Sequence, residues 1–403
     1  MRSVADFYQD CLAAVGQQPP LDVQLVDAVS CVLAEDVKAP FDLPVADLAA
    51  CDGYAVRSED LAGATPDAPV ELTVTEEIRA GDVDPAALVA GSAIRIASGA
   101  PVPTGADSVV ALDFTDHGRA RVAVRTQPAV GENIRRRAED VERGRVVLRS
   151  GTRVGARQVA LLAGVGRSRV VVRPRPRVVI ISIGDEIVEP GREARPGTVF
   201  DANGHALSTA VADAGAQTFR VAAVPDERQI LSTTIEDQLV RADLVVTTGG
   251  ISYGSGDTVR EVLGALGTVR FDNVAAWPGH ILGVGTVGEG TPIFCLPGDP
   301  VSAQVCFEVY VRPALRHMQG WTVLNRPSIQ AQVDRSWYSP RGRREFVRVR
   351  LSGDPRSGYR AKVMGAPASL LLSALAESNA LAIVPEDVTN VLAGDSLRCM
   401  VLD

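Results

Sequence analysis

A glycine-rich segment, residues 247–257, holds the residue types and spacing that most clearly predict chemistry. It lies between an apolar β-branched run, 244–246, and a helix-like stretch, 258–263. Gly249, Gly250 and Gly254 flank Ser252, and turns of this kind before a helix bind anions through exposed backbone N–H groups. Asp257 stands where a carboxylate caps a helix or holds a metal ion. The alternative interpretation is a glycine-rich turn without a chemical role.

Two more distinctive turns follow predicted strands. The run 177–183 ends in a turn at 184–186, and the run 291–296 ends in Pro297-Gly298-Asp299. Asp299 followed by Pro300 is a strong helix start, so the turn can be explained by helix capping alone. The same turn also leaves a small pocket in which an anion could bind. Ligands of parallel sheets sit beyond the carboxyl ends of the strands. We therefore expect the three turns to converge on one crevice.

Charged side chains beside turns form a second group of candidates. For any single carboxylate a solvated surface position is the default, but several around a phosphate-binding turn would hold Mg²⁺ between carboxylates and phosphate. A basic group at 342–346 is either a solvated strand face or an oxyanion site built on guanidinium. The acidic candidates are Asp52, Asp140, Glu186, Asp226 and Asp257.

The stretch 250–254 also matches the G-x-S-x-G pattern of a hydrolase nucleophile elbow, with Ser252 as the nucleophile. A serine hydrolase needs a histidine on a later strand end, and His280 and His317 are the only histidines downstream. His317 falls in a predicted helix. The extra glycines fit an anion cradle better, so the hydrolase is a remote alternative.

The elements around these turns predict a multidomain chain. Residues 4–16 have the spacing of an amphipathic helix, and short alternating runs between 70 and 147 predict a β-rich module. Strands and helices alternate from 177 to 320, which predicts a doubly wound parallel sheet. Its helices include 203–214, 228–241 and a long final helix over 302–318. Alternation returns after 327, which predicts a small terminal β domain.

Bulk properties exclude several classes of protein. The chain has 403 residues, 22% charged residues and a net charge of −8, which argues against a general nucleic-acid binder. No apolar run approaches the roughly 18 residues that span a bilayer, so we expect no membrane insertion. Six scattered cysteines without a C-x-x-C pair, and an N-terminus unlike a signal peptide, predict a cytoplasmic protein.

Seven motifs in order resemble one family, the molybdopterin molybdenumtransferases (MoeA and the gephyrin C-terminal domain). The resemblance covers essentially the whole chain. The motifs are DGYAV at 52–56, SGAPVPTGAD at 98–107, NIRRRAED at 133–140, GDEIVEPG at 184–191, TGGISYGSGD at 248–257, LPGDPVSA at 296–303 and GRREF at 342–346.

The resemblance implies a four-part fold. A discontinuous linker domain would comprise 1–45 and 140–174, a β-rich domain 46–139, a central α/β molybdopterin-binding domain 175–324 and a C-terminal β-barrel 325–403. It further implies a homodimer with the active cleft at its interface. The implied reaction inserts molybdate into adenylylated molybdopterin with Mg²⁺ and releases AMP.

Site residues implied by the resemblance follow position by position. The five acidic candidates match its functional carboxylates, with Glu186, Asp226 and Asp257 as metal ligands. Ser98 stands where the family often has threonine. Ser302, Arg343 and Ser369 match positions that bind the oxyanion. The remaining binding positions are Gly249, Gly250, Ser252, Gly254, Pro278, Gly279, His280, Pro297, Gly298 and Asp299.

One departure from the family keeps a second function open. Family enzymes carry a lysine-rich segment of the form K-P-G-K-P, whereas this chain has Asn273, Trp277 and His280 where lysines are frequent, and Asp299 where asparagine is common. Molybdate carries two negative charges, so the loss of cations should weaken its binding. The alternative is a gephyrin-like dimeric scaffold that binds a peptide of a cytoskeletal, cell-division or membrane-receptor partner. A molybdopterin adenylyltransferase is a further partner implied by the resemblance.

Overall fold

The structure is a computed structural model, and it describes residues 1–193, 195–251 and 258–402. Its N-terminal part begins with an amphipathic helix, as predicted, and continues mostly in short strands. The elements are α1 (Val4–Ala13), β1 (Leu21–Gln24), β2 (Val32–Leu33), β3 (Val37–Lys38), β4 (Leu48–Ala49), β5 (Gly53–Val56), β6 (Val70–Ile78), β7 (Ser92–Ile96), β8 (Ser108–Ala111), β9 (Arg121–Val124), β10 (Ile134–Arg135), β11 (Val146–Leu148), α2 (Ala156–Gly164) and β12 (Arg169–Arg173).

The middle part alternates strands and helices. Its elements are β13 (Arg177–Ser182), β14 (Ile187–Val188), β15 (Val199–Phe200), α3 (Ala202–Asp213), β16 (Gln217–Arg220), α4 (Arg228–Leu239), β17 (Leu244–Thr248), α5 (Thr258–Leu266), β18 (Arg270–Asn273), β19 (Ala276–Trp277), β20 (Ile281–Val287), β21 (Thr291–Leu296), α6 (Pro300–Cys306), a π-helical turn (Phe307–Val311) and α7 (Arg312–Met318).

The C-terminal part is again mostly β. It contains β22 (Ser328–Val333), β23 (Trp337–Tyr338), β24 (Arg344–Asp354), β25 (Gly358–Val363), α8 (Leu372–Ala376), β26 (Ala380–Val384), β27 (Asn390–Val391) and β28 (Ser396–Val401). Strands β24, β25, β22, β28 and β26 pair in that order, and β26 pairs back onto β24. The ring of pairings closes, which confirms the predicted C-terminal β-barrel.

Two smaller modules come from the first 174 residues. Strands β1 and β2 flank β12, and β3 pairs with β11, so this linker module joins two distant chain segments. The β-rich module is a five-stranded sheet with the order β8-β5-β7-β6-β9. Helix α1 packs on the α/β module, where Phe7 meets Tyr310 edge to face at 5.1 Å. The domain boundaries implied by the family resemblance stay predictions.

The α/β module is built on a six-stranded sheet with the order β16-β13-β17-β21-β20-β18. The first four strands are parallel, and their alternate residues pack into two cores, one on each face. Helices α3 and α6 cover one face while α4 and α5 cover the other, which confirms the doubly wound arrangement.

The sheet also carries an antiparallel edge that the sequence did not predict. Strands β18 and β20 pair with each other and with β21 in antiparallel register. Glycines interrupt the apolar pattern of β20, because a Cβ at Gly285 would lie 2.1 Å from the Thr268 carbonyl oxygen. The neighbouring backbone lies so close that only glycine fits at this position. Strand β20 therefore lacks the alternating side chains by which a strand is recognised in a sequence.

The predicted long helix over 302–318 is continuous but irregular. It begins earlier, at Pro300, and widens into the π-helical turn at 307–311 before α7. Pro313 follows this turn, and its ring cannot fit beneath the carbonyl of residue 309 in a regular α-helix. The wider turn accommodates the proline within the helix.

Candidate functional site

A cleft of about 630 Å³ lies beyond the carboxyl ends of β13, β17 and β21. Ile183 and Glu186 line it after β13, the glycine turn lines it after β17, and Pro297 and Gly298 line it after β21. Parallel strands end at the same edge of a sheet, which is why these turns meet. The predicted convergence is confirmed for the described residues of the three turns.

Glycine at 249 and 250 is required by the geometry of the turn. Both residues have φ in the left-handed region, +91° and +66°. A Cβ at Gly249 would lie 2.2 Å from the Ile183 carbonyl oxygen, closer than any contact allows. At Gly298 a Cβ would reach the Cα of Gly249 at 3.4 Å. The two turns are therefore packed backbone against backbone, and the cleft forms where no side chain intervenes.

A buried hydrogen-bond network joins these turns to the start of α3. The Asn203 side-chain amide donates to Thr248 Oγ1 at 2.8 Å and to the Gly298 carbonyl at 2.7 Å. Thr248 Oγ1 donates in turn to the Pro297 carbonyl at 2.7 Å. Asp201 caps α3 by accepting from the Gly204 N–H at 2.8 Å. Asn203 and Asp201 line the cleft and hold its turns in place.

Sequence reasoning missed Asp201 and Asn203. Their signal was a D-x-N sequence at a strand-to-helix junction, which usually indicates only a helix cap. Asp201 is also buried, accepts from Ser182 Oγ at 2.7 Å and pairs with Arg220 at 3.0 Å. The hydrogen bonds of this network join strand ends that are distant in the sequence. Its structural role therefore cannot be inferred from neighbouring residues.

The far wall of the cleft comes from residues 277–281. Trp277, Gly279 and His280 line it, and the Trp277 and His280 rings stack at 6.4 Å. Gly279 has φ +82°, and a Cβ there would lie 2.4 Å from Cys306 Sγ. Two of the three positions that lack the family lysine, 277 and 280, therefore face the cleft, while residue 273 and Pro278 do not line it.

Pairing between modules brings Arg343 near this wall. Strand β19 runs parallel to β24 of the barrel, with Trp277 opposite Glu345. Burial lowers the pKa of His280, and the positive charge of Arg343 lowers it further. The imidazole is therefore mostly neutral at pH 7 and does not replace a lysine. Within the described part of the chain, Arg343 makes no ion pair or hydrogen bond, so its guanidinium is free to meet an anion.

The start of α6 supplies a hydroxyl to the same wall. Ser302 is 5% exposed and lines the cleft. Asp299 caps the helix by accepting from the Ser302 N–H at 2.8 Å, with Pro300 in the first turn. The predicted helix start is confirmed. The Asp299 carboxylate is occupied by this cap and does not line the cleft.

Apolar side chains form the mouth of the cleft. Val199, Phe200 and Leu370 line it and remain largely exposed. Ser369 lies next to Leu370 and donates through its hydroxyl to the Ala366 carbonyl at 2.6 Å. The loop 366–371 thus brings a barrel residue to the α/β cleft.

Arg348, which sequence reasoning also missed, fixes that loop. It is 1% exposed within β24 and donates to the carbonyls of Ala366 at 3.0 Å and Pro367 at 3.2 Å. Burial lowers its pKa, an effect opposed by the carboxylate of Glu345, which is also buried. The sequence of β24 alternates polar and apolar residues, so Arg348 is expected on the solvent-facing side. Nothing in this alternation indicates that its side chain is buried.

We expect Arg348→Met to lower the free energy of unfolding by about 3 kcal/mol, because two carbonyls lose their donor and the buried Glu345 carboxylate loses a nearby positive charge. Urea unfolding followed by circular dichroism measures this change. The matched control is Arg350→Met, an exposed arginine of the same strand, which should shift stability by less than about 0.5 kcal/mol. Equal shifts for the two variants would contradict the assigned role.

The acidic candidates do not all meet. Glu186 lines the cleft, and Asp226 lies beside the same turn, since its N–H donates to Asp185 at 3.1 Å. Asp52 accepts from the Ser98 N–H at 2.7 Å in the β-rich module, and Asp140 is exposed near its edge. Asp52, Ser98 and Asp140 do not line the cleft of their own chain.

Three predicted site residues, Ser252, Gly254 and Asp257, lie outside the described residues. The hydrolase hypothesis depends on Ser252, so the geometry does not bear on it directly. Of the two histidines that the hydrolase hypothesis requires, His280 is in the cleft and His317 is within α7.

Among the described residues, no group of three His, Cys, Asp or Glu side chains is arranged to hold a metal ion. No helix in this part of the chain is long and apolar enough to cross a membrane.

The fold and cleft define a multidomain protein whose doubly wound α/β module carries a ligand-sized cleft beyond its strand ends. Comparison with known families agrees over nearly the whole chain. The family described as "MoeA N-terminal region (domain I and II)" matches residues 2–166, "Probable molybdopterin binding domain" matches 179–317, and "MoeA C-terminal region (domain IV)" matches 330–402.

Full-length relatives give the same result. The chain is 42% identical to molybdopterin molybdenumtransferase 2 of Mycobacterium tuberculosis, over 99% of both chains, and 39% identical to molybdopterin molybdenumtransferase 1 of that organism, over 98% of this chain and 97% of the relative. A crystal structure of the molybdopterin biosynthesis protein MoeA from Pyrococcus horikoshii superposes with a TM-score of 0.84 at 28% identity, covering 100% of this chain and 99% of that one. The chain therefore belongs to the MoeA family of molybdenum cofactor biosynthesis transferases.

Proposed function

We propose that this chain inserts molybdate into adenylylated molybdopterin and releases AMP, with catalysis in the cleft described above. The observation that carries the proposal is the convergence of the turns after β13, β17 and β21 with Ser302 and the 277–281 wall. The backbone N–H of Gly250 suits the phosphate of the pterin, whereas the N–H of Gly249 donates to the Leu296 carbonyl at 3.2 Å and holds the turn. The apolar mouth suits the flat ring system of the pterin.

The oxyanion would be bound from the opposite wall. The Ser302 hydroxyl lines the cleft and can donate a neutral hydrogen bond. The Arg343 guanidinium has no ion pair or hydrogen bond with any described residue and supplies positive charge near His280. A charge-assisted hydrogen bond is about twice as strong as a neutral one, so Arg343 should dominate molybdate binding. Ser369 lies next to the cleft residue Leu370 but has its hydroxyl bound to Ala366.

We propose that Mg²⁺ is held by Glu186 and Asp226, with Asp257 as the third ligand implied by the family. The residues fit this ion: Glu186 lines the cleft, and Asp226 Oδ1 is buried with no hydrogen-bond partner among the described residues. Protein Mg²⁺ sites use one or two carboxylates and complete their coordination with water and substrate phosphate. When bound, the ion would neutralise phosphate charge during loss of AMP.

The direct test of this function is product formation. Purified protein incubated with adenylylated molybdopterin, molybdate and Mg²⁺ should release AMP, measured by liquid chromatography. Omission of molybdate or Mg²⁺ should abolish the release. AMP at background level with all components present would exclude the enzyme proposal for this chain.

We further propose that the active unit is a homodimer in which Asp52, Ser98 and Asp140 of one copy complete the cleft of the other. The three side chains lie at exposed positions and do not line their own cleft. Mixing an inactive Asp52→Asn variant with an inactive Glu186→Gln variant should restore AMP release, because mixed dimers would contain one intact cleft. A monomer by light scattering, or no restoration on mixing, would contradict this arrangement.

Arg343→Gln should reduce kcat/KM for molybdate at least about tenfold, because it removes the free cation near the oxyanion. The measurement is AMP release against molybdate concentration. Neither arginine lines the cleft itself, but Arg343 acts electrostatically on the cleft residue His280, so Arg341→Gln, at an exposed position two residues earlier without that effect, is the matched control. If both variants behave like the wild type, Arg343 has no role in binding the anion.

A second candidate function is a dimeric scaffold that binds a short peptide of a cytoskeletal, cell-division or receptor partner. The lysine-free wall and the neutral His280 favour it, because both lower the affinity for molybdate. Under this alternative, purified chain would capture one stoichiometric partner from the cytoplasm of its source and release no AMP. Capture experiments without such a partner would remove it.

A further inference from the structure

A second cavity lies where the linker module meets the α/β module. It has a volume of about 160 Å³, and its polar walls come from Ser30, Arg153, Arg175, Asp213, Arg316 and Trp321. These residues belong to separate parts of the chain: the β1–β2 connection, the segments before α2 and β13, the end of α3, and α7 with the turn after it. None of them lines the cleft described above.

The cavity carries an excess of positive charge. Three arginines and one aspartate line it, which leaves a net charge of +2. Within the described parts of the chain, Arg153, Arg175 and Arg316 form no ion pair. Glu308, the carboxylate that opposes the lowering of the Arg316 pKa, is already bound to Arg326 at 2.9 Å. Asp213 therefore offsets only one of the three positive charges in the cavity.

Arg316 carries its charge in a partly buried position of the cavity wall. Burial lowers the pKa of Arg316, the charges of Arg326 and Arg153 lower it further, and Glu308 opposes them. Its Nε is buried and has no hydrogen-bond partner among the described residues. The guanidinium stacks on Trp321 at 4.6 Å, which fixes its plane, and its Nη1 donates to the Val323 carbonyl at 3.2 Å.

The other two arginines are also held in place. Arg175 donates from Nε and Nη2 to the carbonyls of Gly215 and Ala216 at 2.9 and 2.8 Å. Arg153 donates to Ser30 Oγ at 3.2 Å. Ser30 has φ +70°, a strained conformation for a residue with a side chain, and such strain concentrates at functional sites. The hydrogen bonds of the three arginines to Gly215, Ala216, Ser30 and Val323 leave further guanidinium N–H donors without a partner among the described residues.

We propose that this cavity binds a small tetrahedral oxyanion, either free phosphate or sulfate or the phosphoryl end of a monoester. Fixed guanidinium groups match the oxygens of such an anion, and its two charges match the net charge of the cavity. The cavity is a quarter of the size of the cleft and suits one phosphoryl group rather than a nucleotide. A bound anion would join the linker and α/β modules through their arginines.

Calorimetric titration of the full chain with inorganic phosphate, at constant ionic strength, tests this proposal. Arg153→Gln should weaken phosphate binding at least about tenfold, because it removes one charged donor. Arg153 is exposed and, among the described residues, donates a hydrogen bond only to Ser30, so the variant should fold like the wild type. Arg157→Gln, an exposed arginine of α2 outside the cavity, should bind phosphate as the wild type does.

A structural measurement separates this cavity from the cleft, which is also expected to bind phosphate. Crystals soaked in sodium selenate should show an anomalous peak between Arg153, Arg175 and Arg316. A parallel titration with glycerol phosphate distinguishes the sources, since tighter binding of the ester assigns a phosphoryl monoester and tighter binding of the free ion assigns an inorganic anion. Phosphate binding unchanged in Arg153→Gln, together with no selenate peak in this cavity, overturns the proposal. Neither measurement depends on AMP release.

Discussion

Gly249→Ala should destabilise the chain and reduce AMP release at least about a hundredfold. The new Cβ would lie 2.2 Å from the Ile183 carbonyl, and φ +91° is strained for alanine. The conformational strain alone costs about 1–3 kcal/mol, and relief of the clash must move the turn away from β13. Displacement of a binding group by about 1 Å can cost a factor of about 100 in rate. Thermal unfolding and AMP release measure the two effects.

The control for this substitution is Gly264→Ala. Gly264 lies in α5, and a Cβ there would meet nothing within 4 Å. Alanine is the better helix former by about 1 kcal/mol, so this variant should be slightly more stable and fully active. The same substitution, glycine to alanine, should thus lower the stability at residue 249 and raise it slightly at residue 264. A Gly249→Ala variant with unchanged stability and activity would mean that the turn is not packed as described.

The second large effect is expected from restoring the missing cations. The double variant Trp277→Lys, His280→Lys should tighten molybdate binding by a factor of about 10 or more, because each charge beside a dianion contributes about 1–3 kcal/mol when partly desolvated. Both positions line the cleft. The measurement is the molybdate dependence of AMP release, or direct titration with molybdate.

A matched control places the same charges elsewhere. Val240→Lys, Val89→Lys adds two lysines at exposed positions outside the cleft and should leave molybdate binding unchanged. If both double variants tighten binding equally, only the net charge of the chain matters. If neither does, the proposed weakness of the lysine-free wall is wrong.

The pH dependence gives an independent measure of the same wall. The pKa of His280 is lowered from 6.5, so the imidazole gains its proton only below that value. In the wild type, molybdate affinity should therefore rise as the pH falls through this region. His280 binds a proton more readily in the unfolded chain than in the folded one. The folded state therefore becomes less stable as the pH falls below 6.5. The lysine variant should lose both dependences, because lysine stays charged throughout.

The sequence by itself determined the family, the order of the modules and the positions of the cleft-forming turns. These features depend on local backbone requirements, such as glycine with positive φ at 249 and 250 or the Asp299-Pro300 helix start, which neighbouring residues set. The β-branched runs before the turns likewise predicted the parallel strands. The antiparallel edge was not predictable in this way, because the glycines of β20 are explained only by the strand beside it.

Only the tertiary structure decided which side chains meet at the cleft. Asn203 joins two strand ends, Arg348 fixes the barrel loop whose Leu370 lines the cleft, and neither shows a pattern along the chain. The charge state of His280 depends on burial and on Arg343, which is brought near by the pairing of β19 with β24. Burial, hydrogen bonding and electrostatic coupling act through space between distant segments, so they become definite only when those segments have packed together.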